Sequence, residues 1–231
     1  MPSQQLNKLA PLWHTVVVLV LIGGWGLMSK LGADRARDVG NPHRAANYVL
    51  TIVLEWALFG VVILKAPVSA VVRERWGSAR DFFWDLFAAA LFWVGSIILL
   101  AMFARILGVS TLTKDLGFVL PQTPFEIVLW VAVSISAGIC EETVFRGYLQ
   151  PQLGALVRNV HVGVVLSAAV FGAAHAYQGF RRTVLIFLYG LMFGVFVEMR
   201  KSVRPGMIAH AWQDSVSGIV AGIALRRGLL P

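Results

Sequence analysis

Val128–Cys140, VLWVAVSISAGIC, runs without a break into Glu141–Arg146, EETVFR. The apolar run predicts a helix in the membrane, and two carboxylates and a guanidinium at its end are expensive to hold in hydrocarbon. An intramembrane ionisable cluster of this kind marks a candidate functional site.

The rest of the chain extends the membrane reading. At 58% hydrophobic and 14% charged residues, with a mean hydropathy of +0.73, it has too little polar surface to cover a soluble globule. Apolar stretches recur at about 14–31, 45–64, 82–104, 125–140, 161–177, 183–199 and 205–225. Each approaches the ~17 to 25 residues that cross a bilayer. The predicted fold is all-α, a polytopic membrane helix bundle with about seven transmembrane helices. No stretch between them is long enough for a soluble domain, so 1–231 reads as one integral membrane domain. Within it, 1–123 is expected to form a cavity wall and 124–231 a motif-bearing catalytic half. The first stretch follows a lysine but precedes no small-x-small cleavage site, and is expected to be a retained helix.

The net charge of +8 is scattered over the loops, which points to anionic lipid headgroups and away from nucleic acid. Lysines and arginines divide evenly between the two faces, leaving the positive-inside rule silent. The single cysteine, Cys140, excludes an internal disulfide and a cysteine metal cluster. Trp13, Trp76 and Trp84 near helix ends are expected to anchor at the interface. Gly190 with Gly194, and Gly218 with Gly222, predict close helix packing.

Three polar islands interrupt the spans. In the first, Glu142 and Arg146 lie four apart on one helical face and are predicted to pair. Glu141, about 100° around the helix, is left available as a base. The second is FGAAH, Phe171–His175, whose small residues let a neighbour approach. A hairpin turning near Arg158 would bring Glu141 and His175 to one depth. The third is HAWQD, His210–Asp214, where the four-residue spacing lets the carboxylate accept from the imidazole and fix its tautomer. Counting rise along the helices leaves His175 and His210 roughly 10 Å apart in depth, a gap that tilt and side-chain reach must close.

The ordered pattern E-E-x-x-x-R, F-x-x-x-H and H-x-x-x-N/D resembles the CPBP, or Abi, family of intramembrane proteases, and within it the type II CAAX prenyl endopeptidases. EETVFRGYLQPQL is especially similar to the family's first motif, and the resemblance covers about 125–215. It implies that Glu141 activates water, with Glu142, Arg146 and Phe171 in support. It further implies that His175 and His210 are essential, and that Asp214 holds a position where relatives often carry asparagine. Ionised aspartate cannot donate to an oxyanion, so orienting His210 or binding a cation suits Asp214 better. The resemblance also implies a prokaryotic plasma-membrane protein with its site open to the cytoplasm.

Glu141, Glu142, Asp214 and Arg146 sum to −2 with both histidines neutral. Two protonated histidines would balance this, as would one divalent metal, zinc first, held by His175, His210 and Glu141. No H-E-x-x-H is present, and the family admits both a metal-dependent and a glutamate-dependent mechanism. The expected reaction is hydrolysis of a membrane-associated peptide or protein, a CAAX-type, bacteriocin or signal-peptide precursor. The sequence offers no G-x-S-x-G, no facing aspartate pair and no histidine near Cys140. The competing reading is a non-enzymatic membrane protein, a proton or cation pathway or an interaction scaffold.

Overall fold

The computed structural model describes residues 7–39, 41, 43–65, 77–109 and 116–229; Trp76 lies outside them. Among these residues there are seven helical rods and no strand. They are α1 (Leu12–Val39), α2 (Arg44–Lys65), α3 (Ala79–Ile106), a compound rod, α6 (Val160–Ala174), α7 (Phe180–Arg200) and α8 (Arg204–Arg226). The compound rod joins α4 (Pro124–Glu141), a π-helical segment (Glu142–Leu149) and α5 (Gln150–Val157). Five rods are long and apolar enough to cross a membrane by themselves. Of the other two, α6 is apolar but only 15 residues long, and α8 carries the polar HAWQD island.

The compound rod departs from the expected element. Its apolar part does not end at Cys140; the helix continues through EETVFR to Val157, so the charged cluster sits within a span. Thr123 starts it with a capping box, its hydroxyl accepting from the Glu126 amide while Glu126 accepts from the Thr123 amide. Pro124 follows at the first helical position, where its missing N–H costs nothing. Arg158, in the left-handed region at φ 56°, ends the rod, and the Asn159 side chain caps α6 at the Val162 amide. The hairpin thus turns where the spacing of Glu141 and His175 requires.

Close backbone approach fixes the partners of this rod. A Cβ on Gly138 would stand 2.6 Å from the Met207 carbonyl oxygen, so α4 and α8 touch along their main chains. Gly190 and Gly194 of α7 likewise admit Ala168 and Val164 of α6. Without a hydrophobic drive between helices in lipid, such contact and polar bonds hold the bundle. Gln152, fully buried, clamps the segment before α1: its carbonyl accepts from the Leu9 and Ala10 amides, and its amide donates to the Ala10 carbonyl and Thr15. His14 Nε2 donates to the Val61 carbonyl, leaving Nδ1 to accept from the Tyr148 hydroxyl at 2.7 Å. Trp13 and Trp84 are more than half exposed.

Candidate active site

The π segment turns all eight of its residues inward. Its wider helical ladder is a geometry that recurs at functional sites. Here it carries Glu142 and Arg146, whose side chains pair at 3.0 Å and are essentially shielded from solvent. The guanidinium also donates to the Gly190 carbonyl at 3.3 Å. It lies 4.4 Å from the centroid of Phe171 and 5.0 Å from that of Phe193, so aromatic faces replace water around the charge. Phe171 therefore acts as one wall of the arginine's box.

Glu142 joins two helices. Its Oε1 accepts from Arg146 and also, at 2.9 Å, from His210 Nδ1 on α8. With Nδ1–H donated, His210 presents Nε2 to Glu141 Oε2 at 3.8 Å and to Asp214 Oδ2 at 3.5 Å. The expected approach of Asp214 to the imidazole is present, and Glu142 adds a shorter contact that the spacing did not anticipate. The close α4–α8 packing brings the π segment against the ring, while Asp214 is the more distant carboxylate and is 38% exposed. Trp130 fixes the Asp214 main chain by donating to its carbonyl at 2.8 Å.

His175 caps the end of α6. Its Nδ1 lies 2.9 Å from the Phe171 carbonyl, an acceptor, so Nδ1 carries the proton and Nε2 is left free for other partners. Both histidines neighbour Phe171, their ring centroids 4.8 and 6.1 Å from it.

Glu141, His175 and Asp214 open onto a cavity of about 450 Å³. Glu141 Oε2 is buried and has no hydrogen-bond partner. The wall opposite is built by α1 and α2, with Trp25, Leu54 and Leu58 among its apolar members. α3 contributes no lining residue among those described.

Two lining residues escaped the sequence reading. Tyr177, in the short 3-10 turn Ala176–Gln178, reaches the cavity beside His175. Glu55 of α2 is 2% exposed and lines the same space. The available signal was a solitary acid in the middle of an apolar span, with no basic residue three or four positions away to pair with it.

A metal fits the present donor arrangement poorly. Among the described residues no group of three or more His, Cys, Asp or Glu side chains has metal-ligating geometry. The nearest approach to a donor set is His210 Nε2 with Glu141 and Asp214; His175 lines the same cavity, held through Nδ1 by the Phe171 carbonyl.

Residues 123–216, about two-fifths of the chain, match a protein-family model described as type II CAAX prenyl endopeptidase Rce1-like. The matched segment contains all three polar islands and coincides with the part of the chain that the motifs made similar to that family. Neither a curated protein nor a solved structure matches the chain.

Proposed function

We propose that the protein is an intramembrane endopeptidase in which Glu141 activates the attacking water. The family match over 123–216 supports a protease embedded in the membrane. The observation that carries the specific reading is the split between two adjacent glutamates. Glu142 is engaged through Oε1 by Arg146 and His210 and does not line the cavity, whereas Glu141 lines it with a buried oxygen that makes no hydrogen bond.

In this reading Glu141 takes a proton from water as the oxygen attacks the scissile carbonyl. The carboxylic acid so formed then gives that proton to the leaving amine, which balances the hydrolysis. Doubly protonated, His210 keeps Nδ1–H on Glu142 and donates Nε2–H to the charge that develops on the carbonyl oxygen. His175, also doubly protonated and with Nδ1–H on the Phe171 carbonyl, does the same from the α6 side. Arg146 does not reach the cavity; it holds Glu142, and Glu142 holds His210. Asp214 steers the His210 ring and supplies negative charge at the exposed edge. The substrate is a membrane-associated peptide or protein, entering from the cytoplasmic side as the family resemblance implies.

Glu141→Gln tests this directly. Hydrolysis of a quenched hydrophobic peptide panel in detergent should fall by about 10²- to 10⁴-fold, with an unchanged melting temperature. Equal rates in the two proteins would remove Glu141 as the base.

A further inference from the structure

The cavity is lined by three carboxyl groups and one histidine, His175. Glu55, Glu141 and Asp214 all line it, and no lysine or arginine does so among the described residues. Arg146, the nearest buried guanidinium, is boxed by Phe171 and Phe193 and engaged with Glu142. Hydrolysis as derived above uses Glu141 and places Asp214 at the edge, but gives Glu55 nothing to do.

Glu55 is not a packing accident at a helix surface. Its side chain is buried, and although the Ser136 hydroxyl approaches the carboxyl from α4, Oε2 ends without a hydrogen-bond partner. The strongest charge effects on it come from Glu141, His210 and Asp214, two of them acidic like itself. A carboxyl kept at the wall of a largely apolar cavity under these conditions is poised for a partner that arrives from outside the protein.

We infer that Glu55 is a specificity residue that receives a lysine or arginine side chain of the substrate close to the scissile bond. The inference rests on the hydrolytic reading above and names the substrate class of that same site. Its geometry follows from α4. Glu55 neighbours Ser136 and Cys140, and the five positions from Ser136 to Glu141 span roughly 7 Å of helix. An extended substrate advances about 3.3 Å per residue. Cys140 lies one position from Glu141, so the recognised side chain belongs to a residue within about two positions of the bond that is cut. A glutamate at that place meets like charge and is rejected.

The test uses hydrophobic Leu/Ala peptides that carry one lysine, one norleucine or one glutamate at stepped positions, with a fluorophore and quencher at the ends. Wild type should cleave the best lysine peptide with a kcat/KM at least about tenfold above its norleucine twin, the worth of one charge-assisted hydrogen bond. The glutamate twin should be the poorest. In Glu55→Gln the lysine-to-norleucine ratio should fall to about one. No preference in wild type, or a preference that survives Glu55→Gln, overturns the inference. So does loss of all cleavage in Glu55→Gln with an unchanged melting temperature, which would put Glu55 in the chemistry. Binding of the same peptides to Glu141→Gln and to the Glu55→Gln/Glu141→Gln double variant, read by anisotropy, separates the two levels. If nothing is cleaved but the lysine preference in binding disappears with Glu55, the recognition stands and the hydrolytic reading falls; absence of any binding preference overturns the recognition as well.

Discussion

The α3 rod and the compound α4–π–α5 rod are both apolar spans, and they have opposite fates. Of the most apolar window in Ala79–Ile106, 11% is buried inside the protein, against 44% for Pro124–Val157. In water the greasier helix would be the one inside. In a bilayer lipid tails serve apolar side chains as well as protein does, so the interior goes to helices whose small residues permit close approach and whose polar residues need partners. Leu91, Ile98 and Met102 of α3 face outward, more than half exposed. Ser134, Ser136, Gly138, Thr143 and Arg146 of the compound rod face inward.

This contrast can be broken most severely at Arg146. Arg146→Ala strands the Glu142 carboxylate in a dry site, and unfolding in detergent should show a loss of about 3–5 kcal/mol. Hydrolysis should disappear with it, because His210 loses its anchor. A loss below ~1 kcal/mol would mean that water reaches the pair. Gln152→Leu leaves the Leu9 and Ala10 amides without their acceptor and should cost about 2 kcal/mol, read as a lower melting temperature with earlier proteolysis before α1. A native melting curve would show that the N-terminal segment is held by other contacts.

Gly138→Ala sharpens the comparison further. The added methyl meets the Met207 carbonyl, so α8 must shift, at about 1–3 kcal/mol. Since α8 carries His210, activity should fall more than stability does. Activity equal to wild type would show that the α4–α8 contact does not set the histidine. The smallest effect belongs to α3. Leu91→Ala, at a side chain 60% exposed, should change stability by less than about 0.5 kcal/mol; a change comparable to that of Gly138→Ala would assign α3 a packed role and end the contrast.

Much of the site was legible because its residues obey helical spacing. Glu142 and Arg146 sit four apart and do pair, and His175 and Asp214 reach the cavity with Glu141. One partner of His210 was anticipated and one was not. Local spacing offers Asp214 on the same helix, which does approach to 3.5 Å, while Glu142 is 68 positions away in sequence, a contact made where Gly138 lets α8 lie against α4. Glu55 was overlooked for the same reason: it belongs to no local pair, and its importance appears only when α2 is set against the catalytic half.

The amino-acid sequence by itself determined that this chain lives in a membrane as a bundle of about seven helices, since hydropathy and span length depend only on local composition. It also determined which polar islands sit on which spans and which of two adjacent glutamates is paired, since that follows from the angle between neighbouring residues on a helix. Tertiary structure alone decided that the fourth rod continues through its charges as a π segment, that Glu142 holds His210, and that a third carboxylate from α2 faces the site. These are contacts between helices distant in sequence, and in lipid they are selected by close backbone approach and polar satisfaction, which leave no periodic trace in any one segment.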